Sequence, residues 1–127
     1  MKKQWFLALA ADVVVVIVFA AIGRRSHGEA TALAGLATTA WPFLTGLAIG
    51  WAATFALYRD KFDAYLVVPT GILVWLSTLV VGMLARVISG QGTAFSFILV
   101  AGTFLALFLV GWRAVFRLIE SRTGPAR

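Results

Sequence analysis

Few residues in this 127-residue chain are able to do chemistry, and most of them stand where polarity is costly. Asp12 lies inside the apolar run 5–22. A carboxylate there costs about 2.5–3.5 kcal/mol on insertion scales, so it must face other helices and find a partner. Arg113 sits toward the end of a later apolar run, and the reach of its side chain allows the two to meet. Three readings of Asp12 stay open. It forms a structural ion pair with Arg113 that pins the first helix to the fourth, it is a protonatable carrier carboxylate, or it is protonated or bonded to neighbouring hydroxyls. A second cluster reads GRRSHGE over 23–29. Arg24, Arg25, Ser26, His27 and Glu29 put two guanidiniums, an imidazole and a carboxylate together, with Arg86 and Gln91 expected on the same side. Such a cluster suits an anion or a proton shuttle. The other reading is helix-end chemistry: Gly23 stops a helix, Arg24 and Arg25 anchor at head groups, and Glu29 neutralises one of them.

Other chemistry is excluded or left without support. Cysteine is absent, which removes disulfides, thiolate metal sites and cysteine nucleophiles. With His27 the sole histidine, one chain cannot build a two-histidine metal or haem centre, although a symmetric dimer could share one. No metal, cofactor or catalytic residue is assigned. Gly90-Gln91-Gly92 reads as a tight connection, since one Gly-x-Gly without a following lysine does not imply a nucleotide. The net charge of +6 and the pI of about 10.9 fit a basic face near anionic lipid. Nucleic acid is not a expected partner, because no basic patch with interleaved aromatics lies outside the apolar runs.

The elements that carry these residues follow from composition. The chain is 61% hydrophobic and 13% charged, with a mean hydropathy of +0.96. A soluble domain is nearer 45–50% apolar with about 25% charge. So small a globule cannot bury the excess, and its solvent is a lipid bilayer. Four apolar runs, 5–22, 33–57, 65–87 and 94–116, are each long enough to cross a ~30 Å hydrocarbon core as a helix. Four spans cannot close a barrel, which leaves an all-α integral membrane protein, one membrane domain over 1–127. Short connections make neighbours antiparallel and give an up-down four-helix bundle. The first run is read as a retained span, because Asp12 inside it and Arg24-Arg25 after it do not suit a signal peptide. Lys2, Lys3, Arg59, Lys61, Arg117, Arg122 and Arg127 fall on one side, and Arg24, Arg25 and Arg86 on the other. That bias puts both termini in the cytoplasm of a cell-membrane protein. Residues 118–127 read as a solvated tail with little structure.

Spacing supplies the packing faces. Gly71, Trp75, Thr78, Gly82 and Arg86 share one side of the third helix, and Gly35, Thr39, Pro42, Gly46 and Gly50 one side of the second. Gly46 and Gly50 make a small-xxx-small step for close backbone approach. Pro42 should kink its helix and free the Thr38 carbonyl for a ligand or a neighbouring hydroxyl. Pro69 stands near a helix start, where proline is tolerated. Trp5, Trp51 and Trp112 read as interfacial belt residues, while Trp41 and Trp75 read as core.

The segments FAAIGRRSHGE (19–29), TAWPFLTG (39–46), PTGILVW (69–75), VGMLAR (81–86) and GWR (111–113) together resemble a family of small prokaryotic membrane proteins, domain of unknown function family 3054. The resemblance covers nearly the whole chain. It implies a multi-pass, single-domain arrangement and brings no activity, cofactor or catalytic residue. Three functional readings stand beside it. The first is a homo-oligomeric transporter or channel subunit for a small solute or ion, with Asp12 as its intramembrane carboxylate. The second is an accessory subunit stabilising a larger membrane complex. The third is an outer-face enzyme acting on an anionic lipid, with His27 as base.

Overall fold

Residues 4–23 and 29–123 are described by the structure, a computed structural model; the side chains of 29–33 and 123 lie outside that description. Five helices follow in order: α1 (Trp5–Gly23), α2 (Glu29–Tyr58), α3 (Ile72–Ile88), α4 (Phe95–Leu105) and α5 (Gly111–Thr123). Between α4 and α5 the residues Ala106–Val110 make a π turn, with the Gly111 N–H reaching back to the Ala106 carbonyl. The helix thus runs on as one rod. Four segments are long and apolar enough to cross a membrane: Trp5–Gly23, Ala34–Lys61, Val67–Ile88 and Phe95–Arg122. No strand occurs among the described residues.

Neighbour relations are those of a square. α1 packs on α2 and α4, and α3 packs on the same two, while the diagonal backbones stay apart and α2 meets α4 only through side chains such as Phe43 and Phe97. One end of the bundle gathers the start of α1, the end of α2, the approach to α3 and the end of α5, and is called the Trp5 end here. The opposite end gathers Gly23, the start of α2, the end of α3 and the start of α4.

The most extensive contact is α2 against α3, and small residues permit it. A Cβ on Gly46 would lie 2.7 Å from the Ser77 carbonyl oxygen and 2.8 Å from the Thr78 Cα. The Ser77 hydroxyl donates to the Gly46 carbonyl at 2.8 Å. A Cβ on Gly82 would meet the Phe43 ring at 2.6 Å. Phe43 is fully buried and meets Phe19 edge-on, with ring centroids 5.1 Å apart. Phe97 and Phe104 complete this aromatic centre, and Val16, Leu47, Val74, Leu105 and Leu109 extend it along the bundle. Outward-facing Val14, Val80, Leu99, Leu107 and Ile119 are half or more exposed, a surface that suits acyl chains and not water.

Several boundaries differ from the sequence reading. α2 begins at Glu29, so part of the expected connection 23–32 is helical. The expected start of the third helix is instead a kinked turn, Val67–Gly71, with a cis Val68–Pro69 bond and extended φ/ψ at Val68. α5 runs to Thr123 where a solvated tail was expected. Its apolar residues Val115, Leu118 and Ile119 share one face, a helical pattern that continues past Phe116. Trp41, expected in the core, is 43% exposed.

Candidate functional site

The polar centre of the bundle is built on Asp12 and Arg113, one from α1 and one from α5, neither with any exposed side-chain surface. The carboxylate and guanidinium meet side by side. Arg113 Nη1 donates to Asp12 Oδ1 at 2.9 Å, and Nη2 donates to Oδ2 at 2.7 Å. This fork-to-fork geometry is the strongest arrangement open to the two groups.

Two indoles complete the carboxylate. Trp51 Nε1 from α2 donates to Oδ2 at 2.8 Å, and Trp112 Nε1 from α5 donates to Oδ1 at 2.9 Å. Each carboxylate oxygen therefore accepts two hydrogen bonds, which uses the lone pairs an ionised carboxylate offers. Arg113 is satisfied in the same way. Its Nε donates to the Ala64 carbonyl at 2.8 Å and its Nη1 also reaches the Leu109 carbonyl at 2.9 Å. The guanidinium carbon sits 4.6 Å from the centre of the Trp112 ring. Gly71 leaves room beside it, since a Cβ there would stand 3.1 Å from the Arg113 Cδ.

Local structure around the pair is fixed by the connection before α3. The Tyr65 N–H bonds to Asp63 Oδ1, the Thr70 hydroxyl donates to the Asp63 carbonyl, and the Tyr65 hydroxyl donates to the Gln4 carbonyl at the start of α1. The Gly71 N–H returns to the Leu66 carbonyl. These bonds hold Ala64 where its carbonyl meets Arg113. Asp12, Trp51, Ala64 and Arg113 thus tie α1, α2, the connection and α5 to one point. Sequence reading found the two charged residues. It placed Trp51 and Trp112 in an interfacial belt and missed that their ring nitrogens are spent on Asp12.

At the opposite end, Arg86 and Gln91 come together. Gly90 adopts φ 81°, the Gly90 N–H bonds to the Val87 carbonyl and the Gln91 N–H to the Arg86 carbonyl at 2.7 Å, which closes α3 in a Schellman motif. Arg86 then donates from Nε to the Gly92 carbonyl and from Nη1 to Gln91 Oε1, and lies 4.4 Å from the centre of the Phe97 ring. Gln91 Nε2 reaches the Thr38 carbonyl at 3.3 Å, the group that Pro42 deprives of its helical N–H. Arg86 and Gln91 thus bind α2, α3 and the turn before α4 to one another. Arg24, Arg25, Ser26 and His27 lie outside the described residues, as does the side chain of Glu29. Pro42, Gly46, Gly50 and Gly82 are all buried on the α2–α3 side of the bundle. Trp75 is half-buried and donates to the Gly102 carbonyl at 3.0 Å. Among the described residues no group of three or more histidine, aspartate or glutamate side chains stands ready for a metal.

Neither the curated proteins nor the solved structures include a match to this chain. The family model described as "Protein of unknown function (DUF3054)" matches residues 9–116, a stretch that contains Asp12, Trp51, Trp112 and Arg113. With four helices fit to cross a bilayer and a match over most of its length, the chain belongs to the DUF3054 family.

Proposed function

We propose that this protein is an accessory subunit of a larger assembly in the cell membrane, with the Asp12–Arg113 pair as an internal clasp and not a transport site. The observation that carries this reading is the saturation of Asp12. Its carboxylate has no exposed surface and already accepts from a guanidinium and two indoles. A carrier carboxylate must exchange a proton or an ion in each cycle, and doing so here means breaking bonds that also join α1 to α2 and α5. The aromatic centre between Phe19, Phe43, Phe97 and Phe104 adds to the reading, since it fills the bundle beyond the pair with apolar side chains.

Both termini are assigned to the cytoplasm. The support is charge: Arg59, Lys61, Arg117 and Arg122 belong to segments that finish at the Trp5 end, and Arg86 belongs to the opposite one. A reporter fused after Arg127 is active only on the cytoplasmic side if the assignment holds.

Purification of the full chain from its native membrane in a mild detergent tests the assembly reading. A defined partner is expected at constant stoichiometry. A lone, monodisperse particle that carries protons across liposomes in a manner abolished by Asp12→Asn contradicts it and restores the transport reading.

A further inference from the structure

A cavity of about 940 Å³ opens at the Trp5 end, between the start of α1, the last turns of α2 and the connection to α3. Its walls are aromatic: Trp5, Trp51, Phe55, Phe62 and Tyr65. Phe62 meets Trp51 and Phe55 with ring centroids 5.7 and 5.6 Å apart. Asp60, Lys61 and Asp63 also line it. We infer that this cavity is a binding site for an amphiphilic ammonium, a cation on an apolar body, supplied by a lipid head group or by a free lipophilic amine.

The chemistry of the lining selects that class. Ring faces attract a cation through their quadrupoles, and several rings around one volume make the arrangement that holds alkylammonium groups. Among the described residues of the lining, the carboxylates Asp60 and Asp63 stand against one ammonium, Lys61. Asp63 is already engaged with the Tyr65 N–H, so the counter-charge falls to Asp60, which is exposed at the rim. Among the described lining residues an anion would find one lysine and two like charges. A bare acyl chain would leave those charges without a partner, whereas an amphiphile matches both parts. Trp5 and Phe55 are 58% and 57% exposed, so the cavity opens beside surface that fits the apolar body.

The site also touches the clasp. The Trp51 ring walls the cavity, while its Nε1 holds Asp12 Oδ2. A ligand stacked on that indole bears on the residue that joins α2 to the ion pair. This inference stands independently of the accessory-subunit reading, because it concerns a ligand and not a partner.

The test uses the full chain in neutral maltoside micelles, with tetrabutylammonium as probe and an uncharged, equally bulky alkyl compound as control, followed by calorimetry. Saturable binding of the ammonium is expected, with the neutral control about tenfold weaker or worse. Asp60→Asn, at an exposed position that leaves the fold alone, should weaken the probe about threefold to tenfold, and Phe62→Ala by a similar factor. Native mass spectrometry then separates the sources. Retained phosphatidylethanolamine that the probe displaces identifies a lipid head group, and its absence leaves the free amine. Equal binding of the neutral control, an unchanged affinity in Asp60→Asn, or displacement of the probe by phosphatidylglycerol alone overturns the inference.

Discussion

Replacing Asp12 by Asn probes the clasp with the least change of shape. The carboxylate accepts four hydrogen bonds, two at each oxygen. An amide keeps one acceptor oxygen and puts an NH2 group where the other stood, so two donors then face a donor. Arg113 keeps its charge with no exposed surface and without its counter-ion. Breaking a buried pair in this way costs about 3–5 kcal/mol, or roughly two to three and a half decades in the folded population. Arg113→Gln alone removes the guanidinium charge and its fork and leaves a buried carboxylate with the two indoles, a loss of comparable size. The double variant carries no buried charge, so its cost should fall below the sum of the single costs by about 2–3 kcal/mol. Unfolding by sodium dodecyl sulfate in mixed micelles, followed by circular dichroism, gives the four free energies of the cycle. Asp12→Asn within about 0.5 kcal/mol of the parent protein, or costs that simply add, would refute the reasoning.

Further outcomes follow from the same geometry. Trp51→Phe keeps the ring against the cavity and removes one donor to a charged acceptor, which should lower stability by about 1.5–3 kcal/mol in the same assay. Gly46→Ala drives a methyl into the Ser77–Thr78 backbone and should cost about 1–3 kcal/mol, whereas Gly111→Ala meets nothing within 4 Å and should raise stability by roughly 0.5–1 kcal/mol. A comparison of their unfolding midpoints checks both signs at once. Gln91→Ala removes the long contacts to the Thr38 carbonyl and from Arg86 Nη1, and should lower stability by about 0.5–1.5 kcal/mol, read by the same unfolding assay.

Much of this architecture is legible in the chain because lipid leaves few options. The four spans follow from length and hydropathy, and the small residues of α2 and α3 mark the faces that approach most closely. The polar centre is legible only in part. A charged residue in an apolar run announces itself, so Asp12 and Arg113 stand out. An indole near a helix end looks the same whether it lies at the lipid surface or points inward, and nothing in the order of residues separates Trp51 or Trp112 from Trp5. The Ala64 carbonyl carries no side-chain signal at all. The π turn Ala106–Val110 lies within an apolar run and has no sequence mark, whereas Pro69, which pushes Val68 out of the helical region, is the one local sign of the turn Val67–Gly71. The persistence of α5 to Thr123 is hidden by Glu120 and Arg122 in a stretch that reads as a solvated end, although the helix keeps Val115, Leu118 and Ile119 on its surface.

The most direct measurement of the central claim, that two indoles and a guanidinium hold one buried carboxylate, is the nitrogen-15 spectrum of the indole groups in nanodiscs. The chain has five tryptophans and so five indole signals. The signals of Trp51 and Trp112 should persist after transfer to heavy water, and both should move in Asp12→Asn, while Trp75, bonded to the Gly102 carbonyl, stays in place. Rapid exchange of Trp51 and Trp112, or signals indifferent to the loss of the carboxylate, would contradict the account.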